Sequence, residues 1–492
     1  MARVTSLRRR RAGFALGAAA IVATGALAGA RQAQQAVVLK GRAPVSTEML
    51  KIKLPRPAEA DLANGLHLMV LEDRKLPQVT FQLLIRGAGG YDDPAELPGL
   101  ASMTAAMMRE GTTTLNTQQI AEKLETMAAS VNVSTGASSP TAAISGSSLT
   151  ENFKETLSLA ADILLHPTFP QEELDRYKTR TRAGLVQQRA NPGFLANERF
   201  NQAIYGNHPA ARLTTTAAAL DAVTRDRLVA FHREKYVPDH AVLAIAGDMS
   251  LAEARTLAES LLGSWKKAGA AMPKTTDPAP IGPAAVSLVV RPNSVQTSLW
   301  VGTQMVSRTA PDYDVVNVMN AVLGGGPTGR LFTHLREEKG YTYGAYSNVL
   351  AAPYRGAWLA SMDVRTDVTQ PALKDLMAEI ARMRDELVPE KEFEDRKRGM
   401  VASFALSLES PSAVLGNHIT RWLYNLPVDY WDKYAERTMA VTREQVQASA
   451  KKYLDPARLQ IVAVGDATKV ADILKSFGTV QQYDTNGNKI GG

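Results

Sequence analysis

The sequence contains no cysteine, and this absence removes several kinds of chemistry together. A chain without thiols forms no disulfide bond, uses no cysteine nucleophile, holds no metal through thiolates and carries no lipid on an amino-terminal cysteine. Nothing after the first thirty residues is apolar for long enough to span a membrane. At 492 residues the chain exceeds one ordinary hydrophobic core, which predicts two or three soluble domains.

Positive charge is concentrated at the amino terminus. The run Arg8–Arg11 precedes an apolar, Ala- and Gly-rich stretch, Ala12–Ala30, with small-x-small cleavage candidates at its end. This pattern predicts a signal peptide at residues 1–30, export across the inner membrane and a periplasmic location, with an uncleaved anchor as the alternative. Arg3 and the arginine run carry five of the seven net positive charges, which leaves two for the rest of the chain. We therefore expect no nucleic-acid binding and, after signal removal, no stable membrane insertion.

Two segments of the chain are near-copies of each other. Ala222–Asp248 and Ala440–Asp466 align without a gap at a spacing of 218 residues, and both contain Ala-Val-Thr-Arg, a later proline and a final Gly-Asp. The repeat indicates a tandem duplication.

The repeated pattern predicts an α+β fold. Gln78–Arg86 and Ser294–Gly302 alternate with period 2 and lie among amphipathic helices, so we expect two homologous domains, each a mostly antiparallel sheet packed with helices. The predicted domains span residues 48–265 and 285–478. The Pro-rich residues 266–284 are predicted to be the linker, and the polar residues 479–492 a disordered tail.

One helical segment keeps the flanking residues of a known motif but lacks the side chains that act in it. Gly99-Leu100-Ala101 is followed by Ser102-Met103-Thr104-Ala105-Ala106, and the whole of Gly89–Thr112 resembles the signature helix of pitrilysin/insulinase peptidases. In active members the five positions after Gly-Leu-Ala read H-x-x-E-H, the inverted zinc motif. Here Ser102, Ala105 and Ala106 replace the two ligands and the general base. The position that best matches the third ligand is Ala183, in the segment before Gln188-Arg189-Ala190-Asn191-Pro192.

These replacements predict that the chain binds no metal. A catalytic zinc needs three protein donors and a water, and a hydroxyl and methyl groups supply none of the usual ones. No two histidines lie three to five residues apart, so no other helical zinc site is visible. We interpret each histidine as a surface or core residue.

A second motif keeps its functional side chains. Leu323–Phe332 and Leu335–Ser347 resemble the family's Arg/Tyr substrate-binding element, with Arg336 and Tyr343 seven residues apart. The resemblance implies that this pair faces the zinc and hydrogen-bonds the substrate backbone beside the scissile bond. The alternatives are a helix-terminal arginine and an ordinary strand tyrosine. Gly324-x-Gly326-x-x-Gly329 also matches a dinucleotide fingerprint, which we discount because it follows a helical pattern.

The resemblance, which runs from about residue 60 to 470, implies a pitrilysin-like half-clamshell. The leading hypothesis is a non-catalytic, peptide-binding subunit of a heterodimer, in which a paralogous partner supplies the zinc and this chain binds no cofactor. Such a chain is not expected to be an active enzyme alone. The alternative is a peptide-binding or structural scaffold of the same fold with no role in hydrolysis.

Overall fold

A computed structural model of the chain describes residues 50–267, 269, 272 and 274–491. The predicted signal peptide lies outside these residues. The described strands are β1 Ala58–Asp61, β2 His67–Glu72, β3 Gln78–Arg86, β4 Ser130–Thr135, β5 Thr141–Leu149, β6 Ala241–Gly247, β7 Ala285–Val290, β8 Gln296–Gln304, β9 Thr342–Leu350, β10 Ala357–Arg365, β11 Gln460–Gly465, β12 Val480–Tyr483 and β13 Lys489–Gly491.

The helices of the described part belong to two successive sets that follow the same order. They are α1 Leu100–Met108, α2 Thr117–Thr126, α3 Phe153–Leu165, α4 Gln171–Gln188, α5 Pro192–Tyr205, α6 Ala217–Ala222, α7 Arg225–Lys235, α8 Leu251–Leu262, α9 Tyr313–Leu323, α10 Arg330–Phe332 continued by a π-helix Thr333–Glu338, α11 Thr369–Asp385, α12 Glu390–Ser407, α13 Pro411–Leu423, α14 Tyr434–Ala440, α15 Arg443–Tyr453 and α16 Ala467–Lys475. None of the helices in this part of the chain is long and apolar enough to cross a membrane.

The strand order of the two sheets confirms the duplicated α+β fold. The first sheet runs β1-β2-β6-β3-β5-β4 and the second runs β13-β12-β7-β11-β8-β10-β9. In both sheets one hairpin-rich antiparallel edge continues into a parallel pair, β2 with β6 and β7 with β11. The repeated Thr224 and Thr442 both cap a helix, because each side chain accepts a hydrogen bond from the backbone N–H three residues later.

Each sheet buries one face under helices of its own half. The first core contains β3 and β6 residues such as Phe81 and Ile245 packed on α1, α3 and α8. The second contains the corresponding Leu299 and Ile461 packed on α9, α11 and α15. Alternating apolar strand residues and helical stripes account for both layers.

The other face of each sheet is covered by a helix from the opposite half. Helix α5 of the first half packs Phe200 and Ile204 against the second sheet, and Gln304 donates a hydrogen bond of 2.9 Å to the carbonyl of Ile204. Helix α13 of the second half packs Leu415 and Ile419 against β2, β3 and β6 of the first sheet. The two halves are therefore interlocked by reciprocal helices.

The prediction of a disordered tail at residues 479–492 is wrong for its described part. Strand β12 pairs in parallel with β7 and thereby adds a strand to the second sheet. Tyr483 is buried, with the guanidinium of Arg199 at 4.2 Å from its ring centre. A polar segment joins the sheet here because β7 offers an open edge and α5 supplies the aromatic's partner. Residues 266–284 contain no helix or strand among those described.

Candidate functional site

Helix α1 is held at its first turn by a buried carboxylate. Asp93 accepts hydrogen bonds from the backbone N–H of Gly99 at 2.6 Å and of Ala101 at 2.7 Å. Burial raises the pKa of Asp93 to about 6, while the two amide bonds and the charge of Arg212 act in the opposite direction. Gly99 has a φ of 96°, and a Cβ there would lie 2.6 Å from Cβ of Thr215, so this turn requires glycine.

The degenerate motif positions lie on α1 with different environments. Ala105 is fully buried, whereas Ser102 and Ala106 are half-buried and lie one helical turn apart. The hydroxyl of Ser102 donates to the backbone carbonyl of Thr135 on β4 at 3.4 Å. No group of three His, Cys, Asp or Glu side chains able to hold a metal occurs among the described residues. The residues present at these positions do not fit a zinc ion.

The fourth degenerate position, Ala183, is exposed on α4. One turn earlier on the same helix, Arg180 reaches within 3.9 Å of Glu110, which follows α1. Also just after α1, Arg109 donates to the side-chain oxygen of Asn132 on β4 at 3.2 Å. This surface between α1, α4 and β4 therefore presents arginine side chains and methyl groups.

Arg336 lies in the π-helical turn that follows α10. Its guanidinium donates to Glu337 at 2.6 Å and stands 4.7 Å from the ring centre of Phe332. The side chain is 42% exposed, and the bond to Glu337 uses one of the five N–H donors of its guanidinium. The end of this turn is joined to the start of β9, because the N–H of Tyr341 donates to the carbonyl of Leu335 at 3.0 Å.

Tyr343 projects from β9, the edge strand of the second sheet. It is 90% exposed, and its hydroxyl makes no hydrogen bond within the part of the chain that the structure describes. A large, fully presented aromatic residue with an open hydroxyl has no role in the core of its own fold. The structure thus places Arg336 and Tyr343 on adjoining segments at one edge of the second sheet.

A half-buried asparagine that sequence reasoning missed positions this edge strand. Asn320 of α9 donates to the carbonyl of Ser347 at 3.1 Å, and its side-chain oxygen accepts from the Ser347 hydroxyl at 2.7 Å and the Trp358 indole at 3.0 Å. The N–H of Ser347 donates to the carbonyl of Gly324 at 2.8 Å. A signal was present, because Asn320 interrupts an otherwise apolar helix stripe. These bonds give the Gly324–Gly329 turn a structural role in fixing β9.

Strand β9 can extend its sheet. Among the described strands it pairs with β10 alone, and on its other edge the N–H of Ser347 donates to the carbonyl of Gly324. An extended peptide can add to such an edge through its backbone. Arg336 and Tyr343 would then offer a charged and a neutral donor to carbonyl oxygens of that peptide.

Comparison with known proteins agrees with this architecture of two homologous α+β halves. Residues 68–217 match the family model described as insulinase (peptidase family M16), and residues 222–400 match the model described as peptidase M16 inactive domain. The chain belongs to the M16, or insulinase, peptidase family. This confirms the predicted resemblance to pitrilysin/insulinase peptidases.

Relatives that are similar over most of this chain are described in different ways. An uncharacterized zinc protease of Bacillus subtilis is 25% identical over 391 residues, covering 79% of this chain and 93% of that protein. A protein of Helicobacter pylori named a non-peptidase homolog is 23% identical, covering 81% of this chain and 91% of its own length. The crystal structure of a peptidase M16 inactive domain from Pseudomonas fluorescens is 30% identical, with a TM-score of 0.77 and coverage of 84% of this chain and 98% of that one. The family thus includes homologues with and without a peptidase name.

Proposed function

We propose that this chain is a non-catalytic, substrate-binding subunit of a heteromeric zinc peptidase, in which a paralogous partner carrying H-x-x-E-H supplies the metal. One contrast within the molecule supports this proposal. The positions that would hold zinc carry a hydroxyl and methyl groups, whereas Arg336 and Tyr343 are exposed and largely unused by the fold. A chain that presents substrate donors without metal donors is suited to divide the reaction with another subunit.

The proposed role of the pair is to bind the peptide backbone. The guanidinium of Arg336 donates to a backbone carbonyl of the substrate, and the hydroxyl of Tyr343 donates to a carbonyl next to it. A hydrogen bond from a charged donor is worth about 1.5–3 kcal/mol, which corresponds to roughly 10- to 150-fold in rate when it forms only in the transition state. Because backbone groups are common to all peptides, this contact selects no side chain.

The test is a reconstituted complex. The chain without residues 1–30 is co-expressed with a paralogue from the same genome that carries H-x-x-E-H, and cleavage of a fluorogenic peptide is measured. We expect Arg336→Gln to lower kcat/KM at least tenfold while the complex remains intact. Tyr343→Phe removes a neutral donor and should lower kcat/KM about 2- to 12-fold. Arg255→Gln is the matched control, because Arg255 is 54% exposed and pairs with Glu259 on α8 of the first half.

Two outcomes would contradict the proposed role. Cleavage that is unchanged in both variants would favour a scaffold of the same fold, the second candidate function. Cleavage by the isolated chain with one bound zinc would show that the chain is itself a catalytic zinc peptidase. A signal peptide at residues 1–30 would bring the complex to the periplasm, and fractionation of tagged full-length chain tests that part separately.

A further inference from the structure

A cavity of about 410 Å³ lies where the two halves of the chain meet, lined by Pro353 after the end of β9 and by neither Arg336 nor Tyr343. Its volume falls in the range of sites for small molecules. Residues from both halves and from the connecting segment line it. Those that matter here are Arg86, Asp92, Thr141, Pro353, Leu423 and Tyr424.

Arg86 brings an uncompensated positive charge to this cavity. Its guanidinium stacks 3.6 Å from the ring centre of Trp422 and donates to the carbonyl of the same residue. It forms no ion pair with any carboxylate in the described part of the chain, and its buried Nε has no hydrogen-bond partner there. Desolvation lowers the pKa of Arg86 to about 10. A partly buried guanidinium without an anion is costly to the protein alone and is suited to bind a carboxylate.

Asp92 brings an uncompensated negative charge to the same cavity. Its carboxylate accepts no hydrogen bond and forms no ion pair within the described residues, including with Arg86. Burial raises the pKa of Asp92, and Lys235 opposes this rise from beyond ion-pair distance. Neither charge therefore neutralises the other, although both line one space.

We propose that this cavity binds a small zwitterion, with a ligand carboxylate on Arg86 and a ligand ammonium group on Asp92. A free amino acid or a short peptide with free termini is the chemical class that carries both charges on a small body. The apolar walls from Pro353 and Leu423 suit an aliphatic side chain, and the hydroxyls of Thr141 and Tyr424 supply further polar contacts. Lys274, an exposed residue of the lining, adds a second positive charge to the cavity wall.

Binding here also has a consequence for the whole chain. Pro353, Leu423 and Tyr424 belong to the second half, whereas Arg86, Asp92 and Thr141 belong to the first. A ligand in the cavity bridges the halves and binds only the folded chain, so it raises the melting temperature in proportion to the logarithm of its concentration.

The test uses three forms of one dipeptide with the full chain. Leucyl-leucine, its N-acetyl derivative and its carboxamide are titrated by isothermal calorimetry and by thermal unfolding. We expect the free dipeptide to bind at least tenfold tighter than either blocked form, because each blocked form leaves one protein charge unpaired. Equal binding of all three forms, or no binding of the free dipeptide at millimolar concentration, would overturn the proposal.

Variants assign the two ends of the ligand. Asp92→Asn removes the charge without breaking a hydrogen bond, and we expect it to make free and N-acetyl dipeptide bind equally. Arg86→Gln should make free and carboxamide forms equal. Asp472→Asn, on an exposed side chain, is the control. A dipeptide that binds the wild-type chain, Arg86→Gln and Asp92→Asn with the same affinity would show binding elsewhere and refute the cavity. If Arg86→Gln does not fold, the Asp92→Asn result alone decides.

Discussion

The carboxylate of Asp93 lies 2.6 Å from the amide nitrogen of Gly99 and 2.7 Å from that of Ala101. A single side chain therefore satisfies two of the amide groups that the first turn of α1 would leave unpaired. The motif helix is fixed through its own backbone, and this arrangement needs no metal ion. For this reason the helix stays intact although positions 102 and 106 carry Ser102 and Ala106 in place of zinc ligands.

Asp93 should make stability depend on pH. Burial raises its pKa to about 6, so the folded chain holds this proton more tightly than the unfolded chain. The contribution is fully present below the ordinary carboxyl pKa and is lost as pH rises through about 6. We expect Asp93→Asn to remove up to about 3 kcal/mol of the change in unfolding free energy between pH 4 and 7. Urea unfolding across this range, with Asp472→Asn as control, measures the difference. Identical pH profiles for wild type and Asp93→Asn would contradict this assignment.

The motif helix should accept a metal only after its donors are restored. Ser102 and Ala106 lie four residues apart on α1, a spacing at which two imidazoles share one ion. We expect chelator to leave the wild-type melting temperature unchanged, and zinc to raise that of Ser102→His/Ala106→His. Ala106→His alone is the matched control, because it adds one imidazole and should show no zinc-dependent rise. A wild-type melting temperature that falls with chelator would show a metal in the native chain.

Local sequence patterns were enough to predict much of the fold. The alternation in Gln78–Arg86 marks β3 to the residue, and the predicted strand Ser294–Gly302 is β8 displaced by two residues. The tail was wrongly predicted because pairing of β12 with β7 joins residues about 195 apart and leaves no local pattern. The packing of α5 and α13 on the sheets of the opposite halves was not predicted, for the same reason. The presence of Arg86 and Asp92 at one cavity depends equally on tertiary structure.

Asn320 should matter more to stability than its polar type suggests. Its side chain bonds Ser347 and Trp358, both fully buried, so its loss leaves buried donors without partners. We expect Asn320→Ala to lower the unfolding free energy by about 2–4 kcal/mol. Asn317→Ala is the matched control on the same helix, because Asn317 bonds only a carbonyl of its own helix. Equal losses in the two variants would show that Asn320 does not anchor β9.

The reciprocal helices predict that neither half of the chain folds alone. Without the second half, the first sheet exposes the surface that α13 covers with Leu415 and Ile419. Without the first half, the second sheet loses Phe200, which is fully buried and lies 5.8 Å from the ring of Trp300. Truncating such a residue within the intact chain, as in Phe200→Ala, should cost about 3–5 kcal/mol, and removal of a whole helix costs more.

Expression of residues 50–267 and 274–491 as separate chains tests this interlocking. We expect each fragment alone to aggregate or to bind a hydrophobic dye, and the two together to form a soluble 1:1 complex, since each supplies the helix that the other lacks. Phe200→Ala in the first fragment should weaken that complex, whereas Asp472→Asn in the second should not. Fragments that are each monomeric, with their own cooperative unfolding transition, would show two independent domains and leave the cavity between them without a fixed shape.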